Sequence, residues 1–114
     1  MTGPATLRLA DGRTLGYRTF GAAAGPVVVN CHGGLVCGLD VAPFDAVARD
    51  LGLRIVSPDR PGLVASTPAP GRTTADWAAD VGELLDAVGA DRAFVLGWSM
   101  GGQYALECAA RLPD

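Results

Sequence analysis

The sequence contains no lysine: its nine basic residues are all arginines, scattered along the chain against twelve acidic residues, for a net charge of -3 and a pI near 4.9. A nucleic-acid surface needs a basic stripe, and none is present, so no nucleic-acid partner is expected. Long apolar runs are also missing. Stretches such as Val27-Val28-Val29 fall far short of the roughly 20 residues that cross a bilayer as a helix, so no membrane span is expected. Met1 to Ala10 lacks the basic cluster and apolar core of a secretion signal, and a cytoplasmic location is the resulting expectation. Cysteines are few and widely spaced (Cys31, Cys37, Cys108), and His32 is the single histidine. Without a C-x-x-C pair or a histidine cluster, neither a disulfide framework nor a zinc site is suggested. No metal or other cofactor is expected, and three free thiols suit a reducing compartment.

What is present is apolar material. With 114 residues, 49% hydrophobic, 18% charged and a mean hydropathy of +0.27, the chain has the composition of one folded domain spanning 1–114. A closed domain of this size buries about two thirds of its unfolded surface. From Ala5 to Phe20, apolar residues alternate around Asp11-Gly12, a pair that tolerates positive φ, which predicts an antiparallel hairpin. Val27 to Cys31 and Leu53 to Ser57 are compact apolar runs suited to strands buried on both faces. Between them, Phe44, Val47, Ala48 and Leu51 recur at helical spacing, with Pro43 at the start and Gly52 past the end. Asp59 to Arg72 is a long loop rich in proline and glycine, of the kind that tends to carry function. Thr73 and Asp76 form a capping-box pattern ahead of Trp77, Val81, Leu84, Leu85 and Val88, which end at Gly89. Ala93 to Leu96 is the third buried strand. It runs into Gly97-Trp98-Ser99-Met100-Gly101-Gly102 and a helix whose Ala105, Cys108, Ala109 and Leu112 form a small-residue face. Alternating strands and helices predict an α/β fold: an antiparallel hairpin, then three parallel strands with three helices.

Chemistry concentrates at Ser99. In Gly97-x-Ser99-x-Gly101 a serine occupies a sharp strand-to-helix turn, with glycines where a Cβ would strike the neighbouring strand and helix. The following helix directs its first N–H groups at developing negative charge. A plain Gly-Ser turn is the alternative, but the strand before and the helix after supply the context the motif requires.

Three motifs in order, His32-Gly33-Gly34, Asp59-Arg60-Pro61-Gly62 and Gly97-Trp98-Ser99-Met100-Gly101-Gly102, make the chain resemble the N-terminal half of an α/β-hydrolase fold enzyme, from the opening hairpin to Pro113. The resemblance implies that Ser99 is a nucleophile toward an acyl carbon of a small-molecule ester, amide or related carbonyl substrate. It also implies an oxyanion hole built from the backbone N–H groups of Gly34 and Met100. His32 could serve as the general base by its chemistry, whereas the resemblance implies a loop-bracing role, with the catalytic histidine far downstream. Asp59 could be an acid of a triad or, beside Arg60, a loop pin. Leu35 and Trp98 are candidate pocket residues; Trp98, Met100 and Tyr104 either border the pocket or pack the elbow. Cys37 reads as an inert small side chain, and Cys31 and Cys108 as core. The sequence departs from the family pattern at Leu35, where proline is common, and at Val64, where glycine is common and a branched residue is awkward if φ must be positive.

The family's later strands, triad acid and catalytic histidine have no counterpart here. The expectation is a fragment of a hydrolase about twice this length, with Ala93 to Leu96 left as an exposed sheet edge open to self-association. Two other readings remain: a non-catalytic α/β binding module, and a half-enzyme completed by a partner chain.

Overall fold

The computed structural model describes residues 4–112. The first three residues, part of the N-terminal stretch read for a signal, and Pro113, where the resemblance ends, lie outside the described residues. Strand β1 (Ala5–Arg8) pairs antiparallel with β2 (Thr14–Gly21), and β2 pairs antiparallel with β4 (Arg54–Pro58). Strand β3 (Val27–Cys31) lies parallel to both β4 and β5 (Ala93–Gly97), giving the order β1-β2-β4-β3-β5. The expected hairpin and three parallel strands are therefore present, with β5 at the open edge. A 3-10 turn (Gly38–Phe44) leads into α1 (Asp45–Asp50), while α2 (Thr74–Ala87) and α3 (Gly101–Arg111) complete the set. No helix among the described residues is long and apolar enough to cross a membrane.

The sheet separates two apolar layers. On one face Leu15, Val29, Cys31 and Val56 meet Trp77, Val81 and Leu84 of α2 and Ala105 and Cys108 of α3. On the other, Phe20, Ile55 and Val41 close over Ala48 of α1. The capping box forms as expected: the Asp76 N–H donates to Thr73 Oγ1 and the Thr73 N–H to Asp76 Oδ2, which satisfies two amides the first helical turn leaves without partners.

In the expected hairpin turn Gly12 takes a positive φ, +95°, and Asp11 does not, and the structure corrects two other local expectations. Gly12 N–H donates to Leu9 O and Leu9 N–H to Arg13 O, the pattern of a turn followed by a left-handed residue. Pro43 falls inside the 3-10 turn rather than at the start of α1. Of the apolar stripe predicted for α1 only Ala48 is buried, while Phe44, Val47 and Leu51 remain exposed. These three side chains, with Leu96 and Trp98, line an open apolar groove of about 370 Å³ beside β5. On the other face Ala109 of α3 is likewise exposed next to the β5 edge. Helical periodicity reported an apolar stripe correctly, but among the described residues nothing covers it.

One polar contact fastens the hairpin to α2. Arg13 donates from Nη2 to Asp80 Oδ1 at 2.7 Å and from Nη1 to Asp80 Oδ2 at 3.1 Å, with Asp80 only 4% exposed. Burial pushes the Asp80 carboxyl up and the guanidinium pulls it down, whereas Arg13 is held well above its ordinary value by the two aspartates it bonds. On balance burial wins at Asp80, and the two-point geometry makes this a strong, charge-assisted contact.

Candidate active site

Strand β5 ends at Gly97 and α3 begins at Gly101, so the chain reverses in three residues. Ser99 takes the strain of that turn at φ +47°, one of two non-glycine residues with positive φ among the described residues. The turn is closed by Gly101 N–H to Trp98 O at 2.6 Å and Gly102 N–H to Ser99 O at 3.0 Å. Both flanking glycines are required by space. A Cβ on Gly97 would lie 2.7 Å from Gly102 Cα, and one on Gly101 would collide with Cys31 O and stand 2.6 Å from His32 O. The elbow is thus packed directly on the end of β3.

At that end stands the turn His32-Gly33-Gly34. His32 is fully buried, and both ring nitrogens are engaged: Arg60 N–H donates to Nε2 at 3.1 Å, which leaves the proton on Nδ1 to donate to Gly33 O at 2.8 Å. A ring committed in this way has no nitrogen to offer Ser99, so the structure favours bracing over general-base chemistry. Burial holds the His32 pKa below its ordinary value, opposed by the Gly33 carbonyl and reinforced by the nearby Arg60 charge. The folded state therefore binds the proton less readily than the unfolded chain. We expect stability to be full above about pH 6.5, where His32 is neutral in both states, and to fall below that pH until the folded pKa is passed. Urea unfolding from pH 7.5 to 5 should show this slope, and His32→Gln should remove it. A slope unchanged in the variant would assign the effect to other groups.

Asp59 and Arg60 hold different parts of the loop rather than each other. Asp59 Oδ1 accepts from Gly38 N–H at 2.7 Å, and its Oδ2 lies 3.5 Å from Arg18 Nη1. Arg60, 3% exposed, donates to His32 O at 2.5 Å and to Gly33 O at 2.8 Å, and its guanidinium lies 4.4 Å from the centroid of the Tyr104 ring. Sequence reading identified the loop pin but not its targets. Asp40, which it missed altogether, accepts from Gly33 N–H at 3.1 Å and from Asn30 Nδ2 at 2.7 Å. Only the fold brings Asp40 beneath the turn, and no local pattern in the sequence marks it.

Two amides are left over. Among the described residues, neither Gly34 N–H nor Met100 N–H has a hydrogen-bond partner. Their segments adjoin, since a Cβ on Gly34 would stand 3.0 Å from Met100 Sδ. Of the candidate pocket residues, Leu35 is fully exposed, and Trp98, 42% exposed, stacks on Phe44 at 5.9 Å in the apolar groove. Tyr104 turns toward Arg60 and Trp77. Cys31 and Cys108 are buried in the core, while Cys37 is partly exposed. Val64 adopts φ +49°, the left-handed conformation that its branched side chain disfavours. No group of three or more metal-ligating side chains occurs among the described residues.

A serine at positive φ thus stands on a turn between a parallel strand and a helix, packed against the end of the neighbouring strand. The chain belongs to the alpha/beta hydrolase fold family, whose model matches residues 26–114. It is similar to a hydrolase from Pseudomonas aeruginosa PA01, with 34% identity and a TM-score of 0.77, over 96% of this chain and 42% of that one. It is also similar to the N-acyl homoserine lactonase AidH solved with N-butanoyl homoserine, with 25% identity and a TM-score of 0.81 over 98% and 42%. An esterase from Exiguobacterium antarcticum shares the fold at 23% identity, with a TM-score of 0.80 over 99% and 41%. No curated protein matches the sequence. The chain spans about 42% of the length of the first of these structures.

Proposed function

We propose that this chain is the nucleophile-bearing half of a serine hydrolase acting on a small ester, lactone, amide or related carbonyl compound. Ser99 Oγ attacks the carbonyl carbon, and the oxyanion is received by the N–H groups of Gly34 and Met100. The bond to the leaving group then breaks, and water releases the acyl group from Ser99. The observation that carries this reading is the pair of unpartnered amides beside a serine held at positive φ. The activity of the similar N-acyl homoserine lactonase supports the carbonyl class of substrate.

A base must take the Ser99 proton and pass it to the leaving group, and His32, the single histidine, has both nitrogens committed. In our reading the base and its acid come from polypeptide that completes the domain. The open edge of β5 and the uncovered groove beside it support this, as does the length of the similar structures. Completing strands, whether from another chain or a second copy, would pair along β5.

We expect the isolated chain to hydrolyse p-nitrophenyl acetate only weakly, by roughly the 10³ to 10⁴ over water that an oxyanion hole and binding supply without a base, and Ser99→Ala to change that residual rate little, because it does not use the serine. A fluorophosphonate probe should label Ser99 of the folded chain slowly, because no base takes its proton, and faster when imidazole is added as an external base. A folded chain that is unlabelled even with imidazole would point instead to a non-catalytic binding module. Ordinary esterase rates that vanish in Ser99→Ala would show that the chain already holds its own base.

A further inference from the structure

Arg60 presents a physical problem that loop bracing alone does not solve. It is 3% exposed, and among the described residues no carboxylate lies within ion-pair distance of it. Burying an ion without a counter-charge costs several kcal/mol, and carbonyls can be pinned by neutral donors at far lower cost. The charge itself therefore calls for a use. The targets of the guanidinium suggest one. Its two terminal nitrogens fork onto consecutive carbonyls, Nη1 on His32 O at 2.5 Å and Nη2 on Gly33 O at 2.8 Å.

Each carbonyl belongs to a peptide plane whose N–H points the opposite way, since all described peptides are trans. In the His32–Gly33 plane that N–H is held by Asp40 Oδ2 at 3.1 Å, so the plane is fixed at both ends. In the Gly33–Gly34 plane the carbonyl end receives Arg60 and also His32 Nδ1, while the N–H end, on Gly34, has no partner among the described residues, and Gly34 itself packs beside the Met100 side chain. Drawing electron density toward the Gly33 oxygen makes the Gly34 N–H a stronger donor, because hydrogen bonds in a chain polarise one another in a low-dielectric setting.

We propose that Arg60 is a positioning residue of the oxyanion hole, one that orients and polarises the Gly33–Gly34 peptide so that the Gly34 N–H is a fixed, strengthened donor toward the oxyanion formed at Ser99. The ring of Tyr104, 4.4 Å away, stabilises the guanidinium in place of a carboxylate that would neutralise its field. This inference rests on the serine-hydrolase reading for its purpose, but the polarised peptide can be measured without any turnover.

The test uses the isotopically labelled 114-residue chain. Arg60→Gln keeps a neutral donor, and Arg60→Lys keeps the charge without the fork. We expect the Gly34 amide proton to move upfield in Arg60→Gln and by a smaller amount in Arg60→Lys. The rate of fluorophosphonate labelling at Ser99 should fall about tenfold in Arg60→Gln, less than the loss on deleting a whole donor, with partial recovery in Arg60→Lys. Equal behaviour of the two folded variants, or a Gly34 amide that does not move in either, would overturn the proposal. If neither variant folds, the wild-type chain decides. Its Gly33 carbonyl carbon, accepting from two donors, should resonate downfield of its position in urea, and coincident shifts would overturn the proposal. Wild-type chain that shows the polarised peptide yet is never labelled at Ser99, even with imidazole added as an external base, would instead refute the hydrolase reading and leave the Arg60 geometry standing.

Discussion

Gly101→Ala is expected to cost about 4 kcal/mol or more, a large share of the stability of a domain this size. The added Cβ would collide with the carbonyl oxygen of Cys31 and come to 2.6 Å from that of His32. Both obstacles are backbone atoms at the end of β3, where Cys31 stands opposite Gly97 in the β3–β5 ladder, so neither can step aside without opening that ladder. The adjacent substitution is its control. Gly102 has nothing within 4 Å of the same added atom and lies in α3, so Gly102→Ala should be neutral or stabilising by up to about 1 kcal/mol through helix propensity alone. Urea denaturation of the two variants separates packing at the elbow from the intrinsic preference of the helix. A loss below about 1 kcal/mol for Gly101→Ala would mean that the elbow does not rest on β3 in solution.

Arg13→Met should cost about 3 kcal/mol, the lower end of what is lost when one partner of a buried ion pair is removed, because Arg13 itself is partly exposed. The loss arises mainly from Asp80, left as an unpaired carboxylate against the core side of α2. Replacing both residues, as in Arg13→Met with Asp80→Leu, should recover most of the stability, since an apolar pair needs no partner there. The single variant should also regain stability as the pH is lowered toward the range in which a stranded carboxylate takes up a proton, because Asp80 is already pushed upward by burial. Unfolding curves for the single and double variants would expose a merely peripheral pair as a single-variant loss near zero.

Local signals in the chain gave the elements, though not the start of α1. The capping box at Thr73, the strand-turn-helix around Ser99 and the glycine ending α2 each depend on residues a few positions apart, and each is found in place. Even the awkwardness of Val64 was legible, because a branched residue in a loop that demands positive φ is a steric fact independent of the fold. What could not be read was anything decided by strand order. The convergence of Asp40, Arg60 and His32 under one turn follows from β3 lying between β4 and β5, and parallel neighbours leave no mark on one another's sequences. The exposed stripe of α1 is the converse case: periodicity shows that a face is apolar, and only packing shows whether anything covers it. The pairing of Arg13 with Asp80 was missed for the same reason, since two ordinary surface-type residues far apart in the chain become partners only when α2 docks on the hairpin.

The contact between the elbow and the end of β3 also has a kinetic side. Parallel ladders join segments distant in sequence, and β3 and β5 have the whole β4 and α2 region between them. Such pairings are slow, because a long loop must be closed before any contact rewards it. The conformation of Ser99 depends on that closure, as Gly101 has no support until the Cys31 and His32 carbonyls are beneath it. Appearance of a probe-reactive serine would therefore follow the formation of the β3–β5 ladder rather than the early hairpin. The time course of labelling during refolding would then serve as a clock for the last long-range step in building this sheet.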